Sequence, residues 1–201
     1  MIERETTKSK SVELGEIGTS YNGLTGKTKD NFGSGERYIQ YKQVFDNSRI
    51  NIKNFDFVEI GFDESQNKVL FGDVLFTISS ETPNEIGMSS VMLDKIESVY
   101  LNSFCFGFRP NNFSIISPYF LRFYFRSSIF RNEIQKLAQG STRYNMSKAA
   151  FLKLRIQIPD IGEQTKIADA LSATDDKLET EKEYLNLLVN QKSWLVKKLF
   201  R

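Results

Sequence analysis

The sequence predicts an α+β chain: a β-rich domain with packed helices, followed by one long C-terminal coiled-coil helix. Three observations predict it. The first half clusters or alternates aromatic and β-branched residues between turns marked by Gly and Asn, the pattern of strands. A capped segment with one apolar face comes next. The C-terminal segment then keeps an apolar repeat of seven almost to its last residue, as a helix does when it packs along another helix.

Residues 1–10 are polar and expected to fray. From Val12 to about Phe108 the expectation is strand, with clusters at 38–41, 55–60, 69–71, 74–78 and 104–108. The segment Ser79-Ser80-Glu81-Thr82-Pro83-Asn84-Glu85 between them reads as a polar loop. Ser117 suits an N-cap, Pro118 a first helical position and Gly140 a C-terminal stop, which predicts one helix between them. Phe120, Leu121, Tyr124, Ile134 and Leu137 give it a face to bury. One or two further helical turns are expected over 145–152, with Ser147 as a cap, and a last strand at 154–159.

The long helix follows directly. From Gly162 to Leu199 it would measure about 55 Å at 1.5 Å per residue. Leu171, Leu178, Leu185 and Leu199 share one heptad position, broken by Lys192. Ile167, Thr174, Glu181, Leu188 and Leu195 share the other. The opposite face is charged (Lys166, Asp169, Asp175, Asp176, Lys177, Glu179, Lys182 and Glu183), so the apolar stripe is narrow. Thr174, Glu181 and Lys192 weaken the seam but can fix register and partner choice. Trp194 adds apolar surface beside it. The seam points to a partner helix; the alternative is a helix folded back on its own domain. Residues 1–158 and 159–201 are the expected domains.

The composition excludes more than it proposes. No stretch approaches the 18 or so apolar residues of a membrane span, and no apolar signal core opens the chain. Cys105 is the single cysteine, which rules out an internal disulfide and suits a reducing cytoplasm. There is no histidine, hence no imidazole base, no Ser-His or Cys-His couple and no His-containing zinc site. Gly33-Ser34-Gly35 lacks the Gly-Lys-Ser/Thr of a phosphate loop. Asp160, Glu163 and Lys166 have the wrong spacing for a metal-dependent nuclease and suit a helix start instead. No amino-methyltransferase motif is present. No catalytic or metal-ligating residue is expected.

The net charge is only +2, but its distribution is uneven. Between Arg109 and Arg155 there are nine basic residues against one acid, Glu133. Small polar and aromatic residues interleave with them most densely in Gly140-Ser141-Thr142-Arg143-Tyr144-Asn145-Met146-Ser147-Lys148. Such a loop can offer amides and hydroxyls to phosphates, and Arg or Asn to base edges. The bland alternative is a solvated helix face for Arg122 and Arg126 and an ordinary capped turn. The expected DNA contacts are Arg143, Tyr144, Asn145 and Lys148, then Ser79, Ser80, Thr82 and Asn84, and an early polar loop with Lys27 and Lys29.

Residues 140–178, GSTRYNMSKAAFLKLRIQIPDIGEQTKIADALSATDDKL, resemble the end of a target-recognition domain leading into the helix of type I restriction–modification specificity subunits. The pattern comprises Gly-Ser/Thr, an Ile/Met-Ser helix start, an apolar strand, Pro-x-x-x-Glu-Gln, Ile-Ala-x-x-Leu and leucines ending in Lys198-Leu199-Phe200. Val12-Glu13-Leu14-Gly15-Glu16-Ile17 is similar to the opening of such a domain, and Phe71-Gly72-Asp73-Val74-Leu75-Phe76 to its central turn.

The resemblance implies a non-catalytic DNA-reading module. Two such domains each read half of a split target, and two antiparallel helices set the spacing and dock methyltransferase subunits. A translocating restriction subunit can join. S-adenosylmethionine, ATP and Mg are then expected only on the partners. This chain has one domain and one helix where the family has two of each, so it is expected to pair with itself; the alternatives are one half of a split pair, completed by a second half-subunit, or a fragment of a longer gene. Two rivals remain: the recognition region of a fused restriction–methylation enzyme, and a coiled-coil adaptor that does not bind DNA.

Overall fold

The structure is a computed structural model that describes residues 9–200. In chain order the elements are β1 (Lys10–Glu13), α1 (Leu14–Ile17), β2 (Gly18–Asn22), β3 (Phe32–Ile39), α2 (Tyr41–Asp46), β4 (Asp56–Val58), β5 (Val74–Thr77), β6 (Ser79–Ser80) and β7 (Ser89–Val91). They continue with β8 (Val99–Leu101), β9 (Cys105–Pro110), α3 (Pro118–Tyr124), α4 (Ser128–Gln135), β10 (Tyr144–Asn145), α5 (Lys148–Leu152), β11 (Arg155–Ile158) and α6 (Ile161–Leu199). The chain divides into two compact units at Thr165–Lys166. Of the N-terminal segment expected to fray, residues 1–8 lie outside the described residues. Lys10 opens β1 and pairs with Ile158 in β11.

The first unit is built on an antiparallel sheet of order β2-β9-β5-β7 and a second of order β4-β3-β8, with β3 and β8 parallel. The β5 residues are all buried, because the sheet is covered on both sides. On one side Phe76 packs against Phe106, Phe125 and Phe151 with centroids 5.3, 5.2 and 4.8 Å away. On the other, Leu75 and Cys105 join Ile39, Val44, Ile50, Met92 and Leu101. A strand buried on both faces reads as a continuous apolar run, as 74–78 does. Each fully buried Phe or Leu contributes about 1.5–3 kcal/mol, so the aromatic layer and the aliphatic cluster on the opposite face both hold the sheet in place.

Four expectations are corrected. Tyr41 ends no strand: it begins α2, whose buried Val44 faces the core. Residues 69–71 form a turn into β5, not a strand. The single helix after Ser117 is broken into α3 and α4, with Ser127 capping the second by accepting from the Phe130 backbone N–H. Five residues on a straight helix would set Phe125 and Phe130 about 140° apart. The break instead brings their rings to 4.5 Å in the core. Gly140 stops no helix; with φ +131° it serves the turn that bridges Gln139 to Asn145.

One buried polar hub fastens β5 to β2 and β9. Asp73 is 1% exposed and accepts from the Leu70 N–H at 2.8 Å, the Tyr21 hydroxyl at 2.7 Å, and Arg109 Nε and Nη2 at 2.8 and 2.7 Å. Tyr21 lies across Gly107, where a Cβ would come within 2.0 Å of its ring. Burial, and then the charge of Asp73, hold the Tyr21 hydroxyl well above its ordinary pKa. The folded chain therefore keeps this proton where the unfolded chain loses it. That stability is intact below about pH 10 and falls as pH rises past it. Urea midpoints should drop across this alkaline range, and Tyr21→Phe should flatten the drop.

The second unit is the remainder of α6. Asp160 caps the helix, its Oδ1 accepting from the Glu163 N–H at 3.0 Å. At 39 residues the helix is about 58 Å long. No helix among the described residues is long and apolar enough to cross a membrane.

Candidate nucleic-acid interface

Two segments far apart in sequence meet at one edge of the first unit. β10 pairs antiparallel with β6, Tyr144 opposite Ser80 and Asn145 opposite Ser79. The register is held on both sides: the Met146 N–H donates to Ile78 O at 3.0 Å, and Asn145 exchanges backbone bonds with Gln139. α5 follows at once, capped by Ser147, which accepts from the Ala150 N–H. Four of the expected contact residues are thus adjacent, with Arg143 just before them.

Beside this edge opens a cleft of about 500 Å³. Its aromatic walls are Tyr41, Phe45 and Phe104, and Lys42 and Arg143 supply positive charge. The exposed Arg143 guanidinium lies 5.3 Å from the Phe104 ring centroid. That stack leaves the fork's donors able to reach a phosphate or a guanine edge. Asp46, Glu81 and Glu85 also line the cleft, so it is no simple phosphate sink; carboxylates there suit the amino groups of adenine or cytosine. The Tyr41 hydroxyl donates to Ser79 O at 2.9 Å, and burial is the main cause that raises its pKa. Ser80 Oγ donates to Glu85 at 2.9 Å. Ser79 Oγ is buried and has no hydrogen-bond partner.

The remaining expected residues are placed less uniformly. Thr82 and Asn84 are exposed on the turn after β6, and Asn84 O accepts from Arg131 at 2.8 Å. The Lys148 ammonium donates to Asn22 Oδ1, which ties α5 to β2. Lys27 sits in a different cleft with Glu36, Glu59 and Glu64, where its ammonium is paired with Glu64. Hydrogen bonds from Lys27, Gln66 and the Gly61 N–H hold the Glu64 carboxyl down at about 2. Lys29 is exposed at the start of a 3-10 turn. Local spacing gave no signal for Tyr41, Lys42, Phe45 or Phe104 as cleft residues, because the strand pairing assembles them.

The helix arginines serve the fold. Arg126 donates to the carbonyls of Ser89, Val44, Phe45 and Asn47 at 2.6–3.0 Å. Burial, with Arg131 nearby, lowers its pKa to about 10. Arg131 donates to Gly87 O at 2.7 Å. The basic excess of 109–155 is therefore partly internal wiring. Among the described residues no group of His, Cys, Asp and Glu could hold a metal ion.

On α6 the seam leucines Leu171, Leu178, Leu185, Leu188, Leu195 and Leu199 are all exposed, as is Thr174, while Ile167 is half-buried. Trp194, expected beside the seam, lies instead on a second apolar stripe with Tyr184 and Leu187, each more than half exposed. This stripe is centred roughly 120° around the helix from the seam. Lys198 Nζ lies 4.7 Å from the Trp194 ring centroid.

Residues 7–190 match the type I restriction modification DNA specificity domain. The chain is 30% identical over 184 residues to the putative type I restriction enzyme MjaX specificity subunit of Methanocaldococcus jannaschii, a match covering 89% of this chain and 42% of the relative. It is 29% identical over 125 residues to the type I restriction enzyme StySPI specificity subunit of Salmonella potsdam, covering 62% and 26%. The fold is similar to that of the type I restriction-modification system S subunit from M. genitalium, at TM-score 0.60 and 15% identity over 90% of this chain and 42% of that one. It is also similar to the HsdS subunit from Thermoanaerobacter tengcongensis, at TM-score 0.58 and 18% identity over 87% and 39%. The chain thus spans less than half the length of each of these proteins.

Proposed function

Because the chain belongs to the type I restriction modification DNA specificity family, we propose that it reads one half of a bipartite DNA target and pairs through α6 to present two such halves. The observation that carries the reading is the β6–β10 pairing, which assembles Arg143, Asn145 and the aromatic cleft on one edge. The exposed seam of α6 supports the pairing, since an unpaired apolar stripe of this length favours a partner. The second stripe through Tyr184, Leu187 and Trp194 suits a methyltransferase subunit docking on the same rod. The chain contributes recognition and spacing; S-adenosylmethionine, ATP and Mg belong to the methyltransferase and restriction partners.

Co-expression with a cognate methyltransferase subunit, followed by mapping of methylated adenines, tests this. A two-part motif with a constant gap is the expected result, and identical inverted halves would mark a homodimer. A folded complex that methylates nothing would overturn the reading. Within it, Arg143→Ala should weaken specific binding by about 1–3 kcal/mol. Fluorescence anisotropy on the mapped site would check this. A variant that binds and discriminates like the parent would remove Arg143 from the interface.

A further inference from the structure

Building on the proposed self-pairing, with the antiparallel helices that the resemblance implies, we infer that Glu181 of each copy sits against Lys192 of the other and fixes the register. These are the two charged residues that interrupt the apolar seam. Both are exposed, and neither side chain makes an ion pair or hydrogen bond with another described residue. In a parallel dimer each would face its own copy, Glu181 on Glu181 and Lys192 on Lys192, and like charges in a seam oppose association.

An antiparallel coil places each residue of one heptad position against the other position of its partner. Of the registers that keep this alternation, one sets Glu181 opposite Lys192. The same register sets Leu185 opposite Leu188, Leu178 opposite Leu195 and Thr174 opposite Leu199. Every leucine between Leu178 and Leu195 on the seam then meets a leucine. Sliding by one heptad one way sets Leu185 on Glu181 and Lys192 on Thr174; sliding the other way sets Glu181 on Leu199 and Lys192 on Leu188. Each slide buries four unpaired charges, two from each copy, against uncharged partners in every dimer, which is costly. Val189 and Val196, both exposed, flank the chosen seam and widen it. Lys177 and Lys198 meet at its outer edge, where solvent screening makes like charge cheap.

The register is also a ruler setting. One heptad of slip moves the copies by about 10.5 Å along the rod. That is roughly three base pairs of duplex at 3.4 Å each, so the gap in the DNA target depends on these two residues.

The test is a charge exchange in the full chain, read by sedimentation equilibrium. Glu181→Lys alone and Lys192→Glu alone should each raise the dimer dissociation constant about ten- to a hundredfold. The double exchange should restore it. Mixed, differently tagged copies carrying Leu185→Cys and Leu188→Cys should form a disulfide on mild oxidation. Copies carrying Leu178→Cys and Leu188→Cys should not. Additive single effects with no rescue, or cross-linking of the second pair in preference to the first, would overturn the register. A parent chain that stays monomeric at micromolar concentration would instead overturn the self-pairing beneath it.

Discussion

Leu185→Asp should convert the self-paired chain into a monomer without unfolding its recognition domain. Leu185 is 59% exposed in the single chain, so the substitution costs that chain little on its own. In the pair it would lie near the two-fold axis and occupy two central layers at once. Losing one buried Leu removes about 1.5–3 kcal/mol. The two-fold axis doubles this to about 3–6 kcal/mol, roughly a hundred- to ten-thousandfold in dissociation constant. Burying two aspartates adds to the loss. Sedimentation equilibrium would read the change, and an unaltered thermal transition of the β-rich domain would show that the fold survives. Leu185→Ile should retain the dimer. If Leu185→Asp sediments like the parent, the seam is not the pairing surface.

The same substitution separates recognition from spacing. A monomer keeps the β6–β10 edge and should bind a single half-site weakly, with the salt dependence expected of phosphate contacts. It should lose bipartite methylation, which needs two edges at a fixed interval. The second stripe predicts a different fault: changes at Trp194, 56% exposed, should spare pairing and impair docking of a methyltransferase.

What the sequence made legible follows from how local each signal is. The seam of α6 is a repeat within one helix, so periodicity alone found it, and Asp160 caps it as its position before the repeat suggested. Strands β5 and β9 announced themselves as apolar runs because both faces of their sheet are covered. The pairing of β1 with β11 joins the two ends of the domain and has no local signature. Tyr41 looked like a strand residue because aromatic residues favour strands, yet burial of Val44 selects a helix. Lys27 stood out in the sequence only as part of an early polar loop; its pairing with Glu64 is made by the fold and has no local signature. Arg126 looked like a solvated helix residue and proved to be a half-buried clamp on four carbonyls. The candidate edge was half legible: its two segments were each singled out, but their pairing and the aromatic cleft beside them are tertiary.

Asp73→Ala should be the most damaging single change in the first unit. Glycine precedes it because Gly72 holds φ +87°, and a Cβ there would meet the Phe113 ring at 2.3 Å. That turn places the Asp73 carboxylate under β5, where it satisfies Tyr21, Arg109 and the Leu70 N–H together. Removing it strands a buried hydroxyl, a partly buried guanidinium and a backbone donor. Breaking a buried pair in this way costs about 3–5 kcal/mol, a large share of the 5–15 kcal/mol that ordinary domains possess. Asp73→Asn should cost less, since its oxygen can still accept while its amide faces donors. Urea denaturation of the three proteins would rank them. The damage should also reach the interface, because β6 continues from β5 through Ile78, and Ile78 O anchors the Met146 N–H. DNA binding by Asp73→Asn should therefore fall with its stability and recover on cooling toward the temperature of maximum stability. If Asp73→Ala melts with the parent, the hub is not what fastens β5 in place.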